Sequence, residues 1–219
     1  MMRYQNVLFD LDGTLTDPKI GITKSVQYAL AKFGIHEPDL TKLEFFIGPP
    51  LQNTFMETYS FSSDKAWKAV EYYREYFRDH GIYENKLYGG MLEVLELLRS
   101  QGRTLFVATS KPSVFAHMIL SHFQMDSFFT FVSGAELDGT RSDKSEIIKH
   151  IIDNYRLDPS DTVMIGDRKH DLIGAHNNNV HSIAVSFGYG SEEELMAADP
   201  TYLIHTVQEL LQSFSMVEV

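Results

Sequence analysis

The chain has 219 residues, of which 43% are hydrophobic and 22% are charged, so it is long enough for a sizeable core and has the composition of an ordinary globular protein. Its formal net charge of -11, without a basic run longer than two residues, argues against a nucleic-acid partner. It has no cysteine, no apolar run near the roughly 20 residues of a membrane span and no secretory signal, so we expect a cytoplasmic protein with no disulfide, thiolate metal site or membrane partner.

A short apolar run near the start of the chain is followed at once by two carboxylates. The segment from Tyr4 to Phe9 predicts a buried strand, and Asp10 and Asp12 follow it before Gly13. Side chains alternate along a strand, so the two carboxylates could lie on the same side, where a hard divalent cation such as Mg²⁺ would offset their charge. A turn that only ends the strand is the alternative at this point.

A block of helices comes next, with no predicted strand between about residues 17 and 85. Apolar residues recur at helical spacing, and breaks rich in Gly, Pro or Ser separate the segments. The predicted helices cover Ile22–Phe33, Leu40–Phe46, Pro50–Tyr59 and Asp64–His80. We therefore predict a small α-helical domain over residues 17–85, inserted into a core formed by residues 1–16 and 86–219.

Strands and helices alternate over the rest of the chain. The predicted strands are Thr104–Ala108, Phe128–Val132, Thr162–Ile165 and His181–Val185. The predicted helices are Met91–Ser100, Pro112–Phe123 and Lys144–Tyr155, followed by two that start at the capping-box pairs Ser191/Glu194 and Thr206/Glu209. This alternation predicts an α/β fold with a doubly wound parallel sheet, in which ligands bind beyond the carboxyl ends of the strands.

Polar residues fall where predicted strands end and where one helix begins. They are Asp10 and Asp12 after the first strand, Thr109 and Ser110 after the second, Asp167 and Asp171 after the fourth, and Lys144 at a helix start. Such positions meet at one edge of a parallel sheet, so we expect a divalent metal at the carboxylates. Thr109, Lys144 and the backbone at Gly13 would then hold the oxygens of a phosphate. The pattern indicates phosphoryl transfer.

With these residues identified, the sequence resembles the haloacid dehalogenase superfamily, in particular its phosphoglycolate phosphatase-like members with a helical cap. Four motifs carry the resemblance, in chain order: Asp10-Leu-Asp12-Gly-Thr-Leu, Val107-Ala-Thr109-Ser, Lys144, and Gly166-Asp167-Arg-Lys-His-Asp171. The resemblance covers nearly the whole chain. It implies a Rossmann-like catalytic core with an inserted helical cap domain.

The resemblance implies a role for each motif residue in a phosphatase. Asp10 would attack phosphorus and become an aspartyl phosphate, and Asp12 would protonate the leaving oxygen and later remove a proton from water. Thr109 would hydrogen-bond the transferring group, and Lys144 would neutralise it and orient Asp10. An unperturbed Asp has a pKa near ~3.9, so the acid role of Asp12 requires surroundings that raise it.

The resemblance also implies Mg²⁺ as the cofactor. Asp10 and Asp167 would ligate it through their side chains and Asp12 through its backbone carbonyl, while Asp171 would be a supporting or alternate ligand. Gly13 and Ser110 join Thr109 and Lys144 among the residues expected to contact the phosphate.

Substrate choice is expected to come from the inserted helices, because the core supplies only phosphate chemistry. The candidates to contact substrate are Lys19, Ile20, Thr23 and the segment 48–51, which includes Pro49. The Gly-Pro-Pro-Leu segment and the stretch from Gly188 to Leu195 resemble family members named 5'-nucleotidases. The expected partner is therefore a small phosphorylated metabolite, with phosphoglycolate and nucleoside 5'-monophosphates both open, and a monomer and a homodimer are equally compatible.

Other functions remain on the same scaffold. A dehalogenase uses an aspartate nucleophile but needs neither Mg²⁺ nor a second acid, so the pair Asp10 and Asp12 with Asp167 favours phosphate chemistry. A phosphomutase stays open because it differs mainly in returning the phosphoryl group to its substrate. A non-catalytic phosphate-binding regulatory protein would be expected to lack Asp10 or Asp167, and both are present.

Overall fold

A computed structural model describes residues 2–215 of the chain. The chain divides into two compact units. One, the core unit, comprises Met1–Asp17 and Leu87–Val219; the other, the inserted unit, comprises Pro18–Lys86.

Eight strands occur in the part of the chain that the structure describes. They are β1 Asn6–Phe9, β2 Thr16–Asp17, β3 Lys86–Leu87, β4 Thr104–Pro112, β5 Phe131–Ala135, β6 Thr162–Gly166, β7 His181–Val185 and β8 Tyr202–Ile204. Six of them form one parallel sheet in the order β5-β4-β1-β6-β7-β8, and β2 and β3 form a separate two-stranded sheet. The predicted α/β class with a parallel sheet is therefore confirmed.

Nine α-helices accompany these strands over residues 2–215. They are α1 Lys19–Ala31, α2 Leu51–Tyr59, α3 Ser63–Tyr76, α4 Met91–Ser100, α5 Ser113–His122, α6 Lys144–Tyr155, α7 Lys169–His176, α8 Glu192–Ala197 and α9 Val207–Ser215. In chain order, α5, α6 and α7 each lie between two successive strands of the large sheet, and α4 precedes β4. None of the helices in this part of the chain is long and apolar enough to cross a membrane.

Strand β1 lies in the middle of the large sheet, and this position explains why its sequence is apolar. It pairs with β4 on one side and β6 on the other, so that Val7 is opposite both Leu105 and Val163. All four residues of β1 are buried, as expected for a parallel strand covered on both faces. Because β1, β4 and β6 run in the same direction, the residues that follow them come together at one edge.

The inserted unit consists of helices α1 to α3 with two irregular helical turns, Leu40–Phe46 and Phe77–Gly81. The aromatic residues of this unit are only partly buried. Phe46 and Phe55 are buried with ring centroids 4.7 Å apart, whereas Phe45 is exposed. The spacing of aromatic residues therefore predicts their helices better than it predicts which rings are covered.

Several predicted boundaries were wrong. The predicted strand Phe128–Val132 begins only at Phe131, because Phe128 belongs to a 3-10 turn, and the predicted strand Thr104–Ala108 continues as β4 to Pro112. The predicted helix Leu40–Phe46 has these bounds and is a 3-10 helix, whereas the predicted helix Asp64–His80 is divided into α3, which ends at Tyr76, and a π-helical turn. Strand β8 was not predicted, since a three-residue edge strand gives almost no alternation to detect.

Candidate active site

The carboxyl ends of β1 and β6 bring the first and fourth motifs together. The Asp10 N–H donates to the Ile165 carbonyl (2.9 Å), and the Thr14 hydroxyl donates to Asp167 Oδ1 (3.3 Å). Gly13 between them has a φ of +89°, and a Cβ there would lie 2.2 Å from Asp167 Oδ2. Glycine is therefore required at this turn both for its backbone conformation and for the approach of Asp167.

The backbone N–H of Gly13, which was predicted to bind phosphate, already has a hydrogen-bond acceptor within the protein. Its N–H donates to the Thr16 carbonyl at 2.7 Å and closes the turn. The N–H is thus already engaged within the core unit, so Gly13 serves to shape the turn rather than to present a free donor.

Three buried carboxylates form the centre of the site. Asp10, Asp167 and Asp171 each offer an oxygen, and these oxygens all lie within 4.8 Å of one another. We call them the carboxylate cluster. Burial raises the pKa of Asp167 well above its ordinary value, and the negative charges of Asp10 and Asp171 add to this. For the same main reason the pKa of Asp171 rises to about 6, although Lys144 opposes the increase.

A hard divalent cation fits the carboxylate cluster. All of its donors are carboxylate oxygens, which Mg²⁺ prefers, and all three residues are at least 97% buried, so their mutual repulsion is poorly screened by water. Asp12 is not part of the cluster. The predicted roles of its side chain in proton transfer and of its backbone carbonyl in metal binding stay predictions.

Lys144, the first residue of α6, lies against the carboxylate cluster. Its Nζ is 2.7 Å from Asp10 Oδ1 and 2.5 Å from Asp171 Oδ1, and it donates to the Ala108 carbonyl at 2.8 Å. Burial by itself would lower the pKa of Lys144, but the carboxylates of Asp10 and Asp171 outweigh it and raise the pKa above its ordinary value. Lys144 is therefore a permanent cation within the site.

Asp12 has a cationic partner of its own, Lys111. The Lys111 Nζ is 2.7 Å from Asp12 Oδ2, and both side chains are less than a tenth exposed. Burial raises the pKa of the Asp12 carboxyl even though Lys111 acts in the opposite direction. A carboxyl with a raised pKa suits the acid role implied for Asp12, for which the sequence could only state the requirement.

Thr109 is buried near the end of β4, and its hydroxyl oxygen accepts a hydrogen bond from the Lys111 N–H (3.2 Å). This contact leaves the hydroxyl hydrogen of Thr109 for donation to another oxygen. Ser110 follows as a half-buried residue. Contacts within the core unit thus bring Asp10, Asp167, Asp171 and Lys144 together and place Asp12 and Thr109 beside Lys111, while the role of Ser110 stays a prediction.

The segment from Gly188 to Gly190, which we call the glycine loop, packs closely against Asp167. The Tyr189 N–H donates to Asp167 Oδ2 (2.7 Å), and the Gly190 N–H donates to the Asp167 carbonyl (3.1 Å). A Cβ at Gly188 would lie 2.4 Å from both Asp167 Cβ and the Gly13 carbonyl oxygen. The loop can approach Asp167 this closely only because both glycines lack side chains.

The side chain of Tyr189 makes a second connection within the core unit. Its hydroxyl donates a hydrogen bond to Asp17 Oδ1, and Tyr88 packs edge-on against Phe187 nearby, with ring centroids 5.1 Å apart. Burial, followed by the hydrogen bond and the charge of Asp17, raises the pKa of Tyr189 above its ordinary value. Tyr189 therefore stays neutral and joins the glycine loop to the end of β2.

Arg168 and Glu194 brace the fourth motif from outside. The Arg168 Nε donates to Glu194 Oε1 (2.9 Å), as does the Lys169 N–H (3.0 Å), and the Arg168 N–H donates to Asp171 Oδ2 (3.1 Å). The predicted capping box at Ser191 is therefore only half formed. Ser191 accepts from the Glu194 N–H, but the Glu194 carboxylate is drawn to Arg168 and Lys169 instead of back to its own helix.

The predicted substrate contacts of the helical domain lie in the inserted unit. Within that unit, the Lys19 Nζ is 2.5 Å from Glu44 Oε1, and the Thr23 hydroxyl donates to the Lys19 carbonyl (2.6 Å). Pro49 is half-buried just before α2. The roles of Lys19 and Pro49 in substrate binding stay predictions.

The sequence reasoning missed two residues of the site. Lys111 directly follows Thr109 and Ser110, and its position next to these two predicted site residues is the signal that could have identified it. Tyr189 lies between two glycines after β7, in a stretch that the resemblance had already singled out. Neither spacing nor residue type says which carboxylate such a side chain will meet.

Comparison with protein families now identifies the scaffold. A family described as haloacid dehalogenase-like hydrolase matches residues 7–185. The chain belongs to this family. The match includes all four motifs and therefore confirms the family resemblance on which their roles depend.

Relatives of this hydrolase carry names that differ in the reaction they imply. A 5'-nucleotidase from Pseudomonas aeruginosa is 54% identical over 96% of this chain and 96% of its own length. The tyrosine-protein kinase PtkA from Mycobacterium tuberculosis is 34% identical over 97% of this chain and 73% of its own. A phosphoglycolate phosphatase from Aliivibrio fischeri is 26% identical, covering 96% of both.

A solved structure of high similarity is that of a protein described as a predicted phosphatase, from Clostridium acetobutylicum. It has a TM-score of 0.94 and 47% sequence identity to this hydrolase, covering 96% of this chain and 97% of its own. Together, the family, the relatives and this structure confirm the predicted enzyme class, a phosphoric monoester hydrolase.

Proposed function

We propose that this hydrolase is a Mg²⁺-dependent phosphatase that cleaves a small phosphate monoester through an aspartyl-phosphate intermediate on Asp10. One observation carries the proposal: Asp10 is buried at the sheet edge with Lys144 2.7 Å from its Oδ1 and Asp12 two residues later. The carboxylate of Asp10, which Lys144 orients, supplies a nucleophile, and the nearby carboxyl group of Asp12 supplies a proton donor.

The first half-reaction transfers the phosphoryl group to the enzyme. A carboxylate oxygen of Asp10 forms a bond to phosphorus while the bond from phosphorus to the leaving oxygen breaks, and Asp12 gives its proton to that oxygen. Lys144 fixes the orientation of the Asp10 carboxylate and offsets the negative charge of the transferring group. The Thr109 hydroxyl donates to a phosphoryl oxygen, because its oxygen accepts from the Lys111 N–H and this contact does not use its hydrogen.

The second half-reaction returns the enzyme to its starting state. Asp12, now deprotonated, takes a proton from a water molecule as the water oxygen attacks phosphorus. The bond between phosphorus and Asp10 breaks, inorganic phosphate leaves, and both aspartates regain their original forms. The same residue thus serves as acid and then as base.

The residues that would hold Mg²⁺ are Asp10, Asp167 and Asp171. When bound, the ion would offset the negative charge that the phosphate meets on approaching these carboxylates. The charges present support this use. The three carboxylates of the carboxylate cluster face the ammonium group of Lys144, which leaves two negative formal charges for a divalent cation to balance.

A nucleoside 5'-monophosphate is the substrate class that the comparisons favour. The 5'-nucleotidase relative shares 54% of its residues with this chain over nearly its whole length, whereas the phosphoglycolate phosphatase relative shares 26%. A comparison of kcat/KM for nucleoside 5'-monophosphates, phosphoglycolate and hexose phosphates tests this choice. A kcat/KM for phosphoglycolate at least tenfold above that for every nucleotide would reverse the ranking.

A second candidate function is transfer of the phosphoryl group from Asp10 to an acceptor other than water. The relative named tyrosine-protein kinase favours it, at 34% identity over 97% of this chain, and a phosphomutase is the intramolecular version of the same transfer. Release of one inorganic phosphate for each substrate consumed supports the phosphatase. Phosphate on a tyrosine-containing peptide, or an isomerised sugar phosphate without release, supports a transferase.

The catalytic assignment is tested with p-nitrophenyl phosphate. We expect Mg²⁺-dependent phosphate release that falls by about 10³-fold or more in Asp10→Asn, because the amide is not a nucleophile. Asp153→Asn removes an exposed carboxylate on α6 that pairs with Lys149, and it serves as the control with unchanged activity. Full activity in Asp10→Asn, or in excess EDTA, would reject the mechanism.

A further inference from the structure

Lys111 is a buried lysine to which none of the family motifs gives a role. Its side chain is 6% exposed, and its Nζ is 2.7 Å from Asp12 Oδ2, whose side chain is 9% exposed. It differs from Lys144, which contacts Asp10 and Asp171. The site therefore has one lysine on the proposed nucleophile and another on the proposed acid.

The backbone near the end of β4 explains why Lys111 reaches Asp12. The register between β4 and β5 shifts between Ala108 and Pro112, and such an irregularity changes the direction in which a strand's side chains point. The Lys111 N–H turns to the Thr109 hydroxyl, and the Lys111 carbonyl comes so near β5 that a Cβ at Gly134 would lie 2.4 Å from it. The fold thus presents Thr109 and Lys111 to the site from one short segment.

The two oxygens of Asp12 have different surroundings. Oδ2 is held by Lys111, whereas Oδ1 is buried and makes no hydrogen bond to any residue in the described part of the chain. A buried carboxylate oxygen without a partner is rare in folded proteins, since burial without a hydrogen bond is costly. Oδ1 therefore keeps unused hydrogen-bonding capacity, and it is the oxygen of Asp12 that can carry an exchangeable proton.

We propose that Lys111 is a positioning residue that holds Asp12 by Oδ2 and so directs Oδ1 toward the leaving-group oxygen. This inference rests on the proposed function, in which Asp12 exchanges a proton with that oxygen. The proton passes between Asp12 Oδ1 and the leaving oxygen, and Lys111 acts only through its ion pair with Oδ2.

The test measures how strongly phosphoryl transfer depends on the leaving group. A nitrophenolate leaves without help, whereas an alkoxide needs a proton, so a fault in the acid affects alkyl esters most. In rapid-quench experiments on phosphoenzyme formation, Lys111→Met should slow the reaction of an alkyl phosphate by about 10²-fold and that of p-nitrophenyl phosphate by less than about 5-fold. An equal decrease for both esters, or no decrease, would overturn the proposal.

A double-mutant cycle distinguishes action through Asp12 from a general structural effect. If Lys111 works through Asp12, adding Lys111→Met to Asp12→Asn should leave the rate of phosphoenzyme formation within about 2-fold of Asp12→Asn alone. A further large decrease would show an independent role and would contradict the inference. Lys149→Met, at an exposed lysine of α6, is the control and should leave both esters unchanged.

Two further variants keep the outcome interpretable. Lys111→Arg retains the charge and should recover at least part of the alkyl-ester rate, and Lys111→Gln replaces Lys111→Met in the comparison if the methionine variant does not fold. Failure of this proposal is distinguishable from failure of the proposed function. Activity that survives Asp10→Asn rejects the function, whereas an unaltered leaving-group dependence in Lys111→Met rejects only the role of Lys111.

Discussion

Lys144 Nζ and Asp10 Oδ1 are 2.7 Å apart in a site where both side chains are almost fully buried. The same ammonium group is 2.5 Å from Asp171, so one cation separates two of the three carboxylates of the cluster. Buried charges attract and repel each other strongly because little water screens them. The pair therefore contributes to folding as well as to the proposed chemistry.

Lys144→Met is expected to destabilise the fold. It leaves Asp10 and Asp171 without their shared cation, and breaking a buried ion pair in this way costs about 3–5 kcal/mol in unfolding free energy. Urea denaturation in EDTA measures this loss. Lys149→Met removes an exposed lysine from the same helix and should change the unfolding free energy by less than about 0.5 kcal/mol. Equal stabilities for the two variants would show that the Lys144 contacts contribute little.

Mg²⁺ should raise the melting temperature of the wild-type protein without any substrate. A ligand that binds only the folded state at 100 times its Kd stabilises by about 2.7 kcal/mol, and the carboxylate cluster also loses its internal repulsion. Asp167→Asn removes one of the proposed ligands and should abolish most of the shift. A thermal melt with and without Mg²⁺ measures it, with Asp153→Asn as the control that keeps the full shift. An unchanged shift in Asp167→Asn would place the ion elsewhere.

Gly188→Ala should weaken Mg²⁺ binding although residue 188 is not a proposed ligand. The added Cβ would lie 2.4 Å from Asp167 Cβ and from the Gly13 carbonyl oxygen, so Asp167 or the glycine loop must move. Changes to groups that support a ligand commonly lower metal affinity about 10- to 100-fold. A Mg²⁺ titration of phosphatase activity measures the change in half-saturation.

Gly89→Ala is the matched control for this substitution. A Cβ at Gly89 would meet no atom within 4 Å, and its φ is not in the left-handed region. The Mg²⁺ half-saturation of Gly89→Ala should equal that of the wild type. If Gly188→Ala behaves like Gly89→Ala, then the glycine loop does not determine the position of Asp167.

The sequence predicted the parallel sheet and the residues at its carboxyl edge because both follow from short-range patterns. An apolar run predicts β1 as a buried strand. Charged residues directly after such a run lie where the strand ends, as Asp10 and Asp167 do. The sequence predicted Lys144 as the start of a helix. Its place in the site could be predicted only when it was considered together with the other motifs. Its contacts with Asp10 and Asp171 required the structure.

Long-range contacts explain what the sequence could not provide. The length of β4 depends on its pairing with β5, so the predicted strand stopped at Ala108 and Lys111 was not predicted as a site residue. The Glu194 carboxylate accepts a hydrogen bond from Arg168 instead of from the backbone at the start of its own helix. This tertiary contact cannot be predicted from the capping-box spacing. The closeness of Gly188 to Asp167 likewise depends on how β6 and β7 lie side by side.

The most direct test of the account is to locate the phosphoryl group on the enzyme during turnover. Asp12→Asn should accumulate the intermediate from p-nitrophenyl phosphate, because it lacks the base for the second half-reaction. Borohydride reduces an aspartyl phosphate to homoserine, so peptide mass spectrometry after rapid quenching should find homoserine at position 10. Homoserine at another position, or rapid phosphate release with no modified residue, would contradict Asp10 as the nucleophile.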